Sequence, residues 1–161
     1  MVCVRAPGLP CTGRLPRALP ATYLREHGSV LSKGQRVETI ESGLAKGGIV
    51  DITTIGRRTG KRRRIEIYLH NLDGVLYLTG RPGRPRDWVA NLSANPEMVV
   101  HLKRGITADV PARGTVIWDP ETKAQLITRA RIANWGVTPE DAAADADVWA
   151  KGSPLVRVAV D

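Results

Sequence analysis

Phenylalanine is absent from this chain of 161 residues, and aromatic residues make up only 4% of it. The core must therefore rest mainly on valine, isoleucine, leucine and alanine. A chain of this length is expected to form one domain that buries roughly 68–70% of its unfolded surface.

Cysteine is also scarce. Cys3 and Cys11 are the only two, and neither belongs to a Cys-x-x-Cys pair or a Cys/His cluster, so no metal site is expected. A disulfide between them would close only a small terminal loop. This usage indicates a reducing compartment, and we expect a cytoplasmic protein.

Long apolar runs are missing as well. No stretch approaches the ~20 apolar residues that span a membrane. Residues 1–20 lack the apolar centre of a signal peptide and are rich in Pro, Gly and Arg. We expect residues 1–20 to be a disordered leader or an over-extended start, and residues 21–161 to be a single domain.

Positive charge is abundant and concentrated. The net charge is +8 with a pI of about 10.1, and nine of the 24 cations lie between Arg57 and Arg86. A basic protein of this kind attracts nucleic acid, a membrane surface or a polyanionic small molecule.

Hydrophobic periodicity and turn signals predict six strands and three or four helices. Asp73-Gly74 predicts a two-residue hairpin, and Asp87 and Asp119 are predicted helix N-caps. The predicted elements are a helix that ends before residue 47, strands at 48–55, 63–71 and 75–79, a helix at 88–94, strands at 98–102 and 106–117, helices from 120 to about 134 and from 139 to near 152, and a strand at 154–160. Mostly antiparallel hairpins with few helices favour an α+β fold built on a small closed or split barrel.

The second predicted strand alternates in character. One face is apolar and is expected to face the core, whereas the other carries Arg64, Glu66, Tyr68 and His70. That second face is too mixed for packed core, which leaves solvent, a subunit interface or a ligand floor.

The segment at residues 53–64 reads TTIGRRTGKRRR and holds six cations within eight residues. Gly56 and Gly60 bracket a turn between two strands, where glycine allows positive φ and close approach of the backbone. Arginine forks match phosphate or carboxylate groups. The segment therefore predicts a polyanion-binding turn, with a solvated hairpin tip as the alternative.

Nucleophilic machinery is not apparent. The sequence shows no Ser-His-Asp, Cys-His or paired-carboxylate arrangement, so no catalytic side chain is assigned. His27, His70 and His101 are dispersed and are expected to be structural or on the surface. This pattern fits an enzyme whose cofactor carries the chemistry, and it equally fits a binding protein.

Three motifs occur in a fixed order. They are GRRTG at residues 56–60 followed by Arg63, TGRPG at 79–83, and DWVANL at 87–92 followed by Asn95-Pro96. In this order and spacing, residues 47–161 resemble the deazaflavin-dependent nitroreductase family of actinobacterial oxidoreductases. The resemblance implies a flavin-reductase-like (FMN-binding-like) split β-barrel of about six mostly antiparallel strands with short flanking helices. It also implies coenzyme F420, whose phosphodiester and γ-glutamyl tail make it a long polyanion.

The resemblance implies roles for particular residues. The cofactor-binding residues would be Arg57, Arg58, Thr59, Arg63, Thr79, Gly80, Arg81, Trp88 and Asn91. Arg81 stands where the family has a lysine. Trp88 is alternatively a core residue, and Asn91 alternatively makes a hydrogen bond that packs its helix.

The chain also departs from the family pattern. Glu66 stands where a proline is usual, and an acid there would either disfavour a nearby anion or pair with Arg64 or another arginine. The family's substrate-side tyrosines near the C-terminus are absent, so Trp135 and Trp149, with Tyr68, are the predicted substrate pocket.

The leading hypothesis is an F420H2-dependent reductase that transfers hydride to a small activated alkene, quinone or nitro compound. Split barrels of this kind are commonly homodimers, which makes a homodimer possible. The second hypothesis is a relative that binds FMN, haem or its breakdown products, or a fatty acid. The third is nucleic-acid binding through residues 57–64, which is disfavoured because no aromatic residues are interleaved for base stacking.

Overall fold

The computed structural model describes residues 38–83 and 85–160. The predicted leader at 1–20, Cys3, Cys11 and His27 lie outside the described residues. The predicted domain boundary at residue 21 therefore stays a prediction.

Six strands close into one antiparallel barrel. The helices are α1 (Ile40–Lys46), α2 (Asp87–Ala94), α3 (Pro120–Trp135), α4 (Pro139–Ala144) and α5 (Ala146–Gly152), and the strands are β1 (Gly48–Ile55), β2 (Arg62–Leu72), β3 (Val75–Thr79), β4 (Glu97–Arg104), β5 (Ile106–Val116) and β6 (Leu155–Val160). The strand order around the barrel is β1-β2-β3-β6-β5-β4, with β4 pairing back to β1. The predicted α+β split-barrel fold is confirmed. None of the described helices is long and apolar enough to span a membrane.

The barrel interior is aliphatic, as the lack of phenylalanine requires. Ile52, Leu78 and Val100 are fully buried there, each at 0% exposure. A second, smaller core lies outside the barrel, where Ile127 and Ala130 of α3 pack against Tyr77. The sheet is therefore apolar on both faces under α3, so α3 is fixed to the barrel wall.

The hairpin between β2 and β3 follows its sequence signal. Asp73 and Gly74 both adopt positive φ, 54° and 83°, as a type I′ turn requires. Oδ1 of Asn71 accepts the N–H of Gly74 at 2.8 Å. The predicted turn is confirmed, and it sets the register that places Tyr68 opposite Thr79.

The start of α2 differs from its prediction. Arg86, not Asp87, is the N-cap, and it makes no side-chain capping bond. Asp87 is instead the first helical residue, where a carboxylate still complements the helix dipole. By contrast, Asp119 caps α3 as predicted, and hydrogen bonding from the side chain and then the backbone N–H of Thr122 lowers the pKa of the Asp119 carboxyl.

The predicted helix from 139 to near 152 is two helices. The backbone leaves helical geometry at Asp145, with φ −118° and ψ 15°, and α5 begins at the next residue. The Asp145 carboxylate accepts hydrogen bonds from Arg131 and Trp149. These bonds tie the break to α3 and account for its position.

The outer face of β2 divides into two halves. Arg64 and Glu66 are exposed, whereas Tyr68 is half-buried and His70 is fully buried. The prediction that this face is not packed core is wrong at His70, because α3 covers it and Trp135 packs on its ring at 5.4 Å between centroids.

Candidate functional site

The basic turn between β1 and β2 has a closed backbone. The N–H of Gly56 donates to the carbonyl of Lys61 at 2.8 Å, and the N–H of Gly60 donates to the carbonyl of Gly56 at 2.7 Å. A Cβ at Gly56 would lie 2.9 Å from Oγ1 of Thr59, and Gly60 has a φ of 65°. Both glycines are therefore needed for the turn that displays the arginine side chains.

Asn91 of α2 anchors this turn. Its Oδ1 accepts the backbone N–H of Arg57 at 3.0 Å, and its Nδ2 donates to Oγ1 of Thr54 at 3.1 Å. Asn91 is only 5% exposed, and Thr54 is 1% exposed. The expected alternative, a packing hydrogen bond, is therefore present, and it joins the helix to the first residue of the turn.

The turn and α2 enclose a cleft of about 470 Å³, which we call the basic cleft. Six of the nine residues predicted to bind the cofactor line it, namely Arg57, Arg58, Thr59, Arg63, Trp88 and Asn91. Arg64 and Asp87 also line it. Trp88 is 8% exposed and belongs to the barrel core, so it serves both as core and as cleft wall.

The charges in the basic cleft are unevenly paired. Arg64 is bound to Asp51, whose carboxylate lies 3.0 Å from the guanidinium. Among the described residues, Arg57, Arg58 and Arg63 make no ion pair. Of the described residues that line the cleft, Asp87 alone carries a carboxylate, so these residues leave a positive excess available to an anion.

The remaining three predicted cofactor residues lie elsewhere. Thr79 is 2% exposed, and its hydroxyl donates to the carbonyl of Pro154 at 2.7 Å. Gly80 also faces Pro154. Neither residue lines the basic cleft, because β3 pairs with β6 at this point, and Arg81 lines a different cleft.

That second cleft, the aromatic cleft, has a volume of about 630 Å³. Tyr68, Trp135 and Trp149, the three residues predicted for a substrate pocket, line it together with Arg81, Arg131 and Val137. Ring centroids of Trp135 and Trp149 are 5.6 Å apart, and those of Tyr68 and Trp135 are 6.3 Å apart. These spacings are typical of aromatic contacts.

Arg131 supports the aromatic cleft from within and was not predicted from the sequence. It is 5% exposed, donates two hydrogen bonds to Asp145 at 2.6 and 3.0 Å, and lies 4.3 Å from the Trp149 ring centre. The hydrogen bonds from Arg131 are the main cause of the lowered pKa of Asp145. The only sequence signal for Arg131 was its position on one face of the predicted helix. Its partner Asp145 lies 14 residues further along the chain, beyond a loop.

Glu66 pairs with a lysine rather than with an arginine. Its carboxylate accepts from Nζ of Lys103, which also donates to Asp51 at 2.6 Å. The bond from Lys103 is the main cause of the lowered pKa of Asp51, and the bond to Asp51 is the main cause of the raised pKa of Lys103. The predicted arginine partner is wrong, because β4 brings Lys103 across the sheet.

A hydroxyl–imidazole–carboxylate chain exists on the outer sheet face, although the sequence showed none. Oγ1 of Thr53 lies 2.7 Å from Nε2 of His101, and Nδ1 of His101 lies 2.5 Å from Oδ1 of Asp109. Thr53 sits in the middle of β1, which is paired on both sides, so the described strands offer it no pair of free amides to hold an oxyanion. We assign a structural role to these three hydrogen-bonded side chains, which stabilise the pairing of β1, β4 and β5.

Comparison with known proteins now bears on these clefts. A family model for F420H(2)-dependent quinone reductases matches residues 17–146. The chain belongs to this family. It is therefore an oxidoreductase with coenzyme F420 as its cofactor, which confirms the predicted enzyme class and cofactor.

Solved structures place this F420H(2)-dependent reductase on a common fold. A conserved hypothetical protein from Mycobacterium tuberculosis aligns with a TM-score of 0.59 at 16% identity, covering 75% of this chain and 78% of the other. A putative 5-nitroimidazole antibiotic resistance protein from Bacteroides thetaiotaomicron aligns with a TM-score of 0.57 at 14% identity, covering 81% of each chain. A structure described as an F420 reductase aligns with a TM-score of 0.52 at 18% identity, covering 77% and 94%. No protein of curated function matches the sequence.

Proposed function

We propose that this F420H2-dependent reductase holds the anionic tail of its cofactor in the basic cleft and receives a small conjugated acceptor in the aromatic cleft. The observation that carries the proposal is the group of three arginines, Arg57, Arg58 and Arg63, which line one cleft without an ion pair among the described residues. Unpaired arginines on a rigid turn are a ready site for phosphate and carboxylate groups.

The residues present fit the chemistry of F420. A phosphodiester and glutamyl carboxylates need several cationic donors, and the basic cleft supplies them beside the N-terminal end of α2. The bond from Arg57 to Asn91 fixes the backbone of the turn before any ligand arrives, which lowers the entropy lost on binding. The negative charge of Asp87 repels an anion and therefore limits the affinity of the basic cleft for the cofactor tail.

Reduced F420, when bound, supplies the hydride. The residues of this chain bind and orient the cofactor and the acceptor, and they exclude water from the site. Trp135, Trp149 and Tyr68 offer flat apolar surfaces on which a planar acceptor can stack. Arg131, locked to Asp145, holds the Trp149 ring in place so that the wall does not collapse into the cleft.

A quinone is the acceptor that we favour among the three predicted classes, with activated alkenes and nitro compounds following. The family description supports the quinone, and the aromatic walls suit a planar conjugated ring. A cytoplasmic location and a homodimer stay predictions.

The test is steady-state turnover of purified protein with F420H2 and a panel of menadione, a nitroarene and a cyclic enone. We expect oxidation of F420H2 that depends on both enzyme and acceptor, with the largest kcat/KM for the quinone. Reduced FMN and NADPH serve as control donors and should give no comparable rate. Binding of F420 without turnover of any acceptor would reject the reductase and leave a cofactor-binding protein.

A further inference from the structure

A third cleft lies on the other side of α2. It has a volume of about 290 Å³ and is bounded by α2, the segment that leads into α3, and the end of α5. Trp88 and Asn91 of α2 line the basic cleft, whereas Val89 and Ala90 line this one. It shares no lining residue with the basic cleft or the aromatic cleft, so neither proposed role accounts for it.

The charges of the third cleft are all positive. Arg86, Lys123 and Lys151 line it, and no carboxylate of the described residues does. Within residues 38–83 and 85–160, none of these three cations forms an ion pair. Burial lowers the pKa of Lys123, because its ammonium group is partly desolvated. An anion in the cleft would offset that unfavourable desolvation.

An aromatic surface borders the same cations. Trp118 is 69% exposed, more than the other large exposed apolar side chains of the described residues. A single exposed apolar residue needs no explanation, but here it stands at the rim of a cleft with an apolar floor. An indole face in this position can stack on a planar ring.

A buried polar group at the wall is also unused. Ser153 lines the third cleft at 2% exposure, and its Oγ has no hydrogen-bond partner among the described residues. Buried hydroxyl groups are normally paired, so this one is free to bond a water molecule or a polar ligand atom in the cleft.

We propose that the third cleft is a second small-molecule site, which binds an aryl carboxylate with its ring on Trp118 and its carboxylate beside Lys123 and Lys151. The volume lies at the lower end of the roughly 300–1,000 Å³ found for ligand sites, which suits one or two fused rings. A molecule as long as F420 does not fit in it. The site does not depend on the proposed roles of the other two clefts.

The test is isothermal titration calorimetry of the full chain with 1-naphthoate, run with and without saturating F420. The neutral control ligand is 1-naphthalenemethanol, which has the same rings and no charge. We expect naphthoate to bind at one site at least tenfold more tightly than the alcohol. Trp118→Ala and the double variant Lys123→Gln/Lys151→Gln should each weaken naphthoate binding at least tenfold.

Variants in the other clefts locate the binding. Arg57→Gln/Arg58→Gln in the basic cleft and Trp135→Leu in the aromatic cleft should leave naphthoate affinity unchanged. Unchanged F420 affinity in the Trp118 and lysine variants shows that the fold survives. The proposal is overturned if naphthoate does not bind, if the alcohol binds equally well, or if only the basic-cleft or aromatic-cleft variants reduce the affinity.

Discussion

The backbone N–H of Arg57 donates to the side-chain carbonyl of Asn91 at 3.0 Å, across 34 residues of sequence. Nδ2 of the same Asn91 side chain donates to Oγ1 of Thr54, the next-to-last residue of β1. One side chain of α2 therefore fixes both the end of the strand and the start of the basic turn. The position of the arginine guanidinium groups on the turn therefore depends on Asn91.

Asn91→Ala should damage both stability and cofactor binding. The buried Thr54 hydroxyl and the partly buried Arg57 N–H would lose their partners, and an unpaired buried group costs about 1–3 kcal/mol. We expect the free energy of unfolding to fall by about 2–4 kcal/mol, measured by urea denaturation, and F420 affinity to fall with it. Asn134→Ala is the matched control, because its amide bonds only a carbonyl of its own helix. Wild-type behaviour of Asn91→Ala in both measurements would show that the anchor is dispensable.

Asp87→Asn should strengthen F420 binding. Asp87 is the one carboxylate in the described lining of the basic cleft, and it repels an anionic ligand. We expect a gain of about 0.5–1 kcal/mol, or roughly two- to fivefold in affinity, that shrinks as salt is added. Asp147→Asn is the control, because Asp147 also lies in the first turn of a helix but lines neither cleft. A weaker or unaltered affinity in Asp87→Asn would mean that no anion lies near this carboxylate.

Local sequence signals predicted the elements well. Strands β1 and β3 have the predicted bounds, and the Asp73-Gly74 hairpin and the Asp119 cap occur as predicted. These features depend on residues adjacent in sequence, where side-chain alternation and turn chemistry are decisive. The basic turn was predicted for the same reason, since its arginines and glycines are contiguous.

Contacts between residues far apart in the sequence could not be predicted. The partner of Glu66 is Lys103, 37 residues away, and His101 meets Thr53 across 48 residues. Such contacts depend on the order of strands around the barrel, which no local pattern specifies. The break at Asp145 was missed for the same reason, because its cause is Arg131 on a neighbouring helix.

His70 should make stability depend on pH. Burial lowers the pKa of His70 to about 4, whereas the unfolded chain has a value near 6.5. Below about pH 6.5 the unfolded state binds more protons than the folded state, so stability falls as the pH falls from about 6.5 towards 4. This group alone should remove about 2 kcal/mol between pH 7.5 and pH 5.

Urea denaturation of the wild type and of His70→Leu at the two pH values isolates that contribution. Both proteins carry the same other titrating groups, so the difference between their pH-dependent losses belongs to His70. We expect the loss in the variant to be smaller by about 2 kcal/mol. Equal losses in the two proteins would mean that His70 is solvated or hydrogen-bonded.

Trp135→Leu should separate acceptor binding from cofactor binding. The variant removes a ring that packs at 5.6 Å from Trp149 and lines the aromatic cleft. We expect KM for a quinone to rise about two- to tenfold, in line with an aromatic contact of about 0.5–1.5 kcal/mol, while F420 affinity stays the same. An unchanged KM together with a weakened F420 affinity would reassign the aromatic cleft to the cofactor.

The central claim is that Arg57 and Arg58 hold the anionic tail of F420, and a fluorescence titration of oxidised F420 tests it most directly. Loss of two charge-assisted hydrogen bonds, about 1.5–3 kcal/mol each, should weaken binding to Arg57→Gln/Arg58→Gln by at least about 100-fold. The control Arg62→Gln/Arg104→Gln removes the same charge from residues outside the basic cleft and should retain the wild-type affinity to within about threefold. If the two double variants bind F420 equally well, the basic cleft does not hold the cofactor and the account is contradicted.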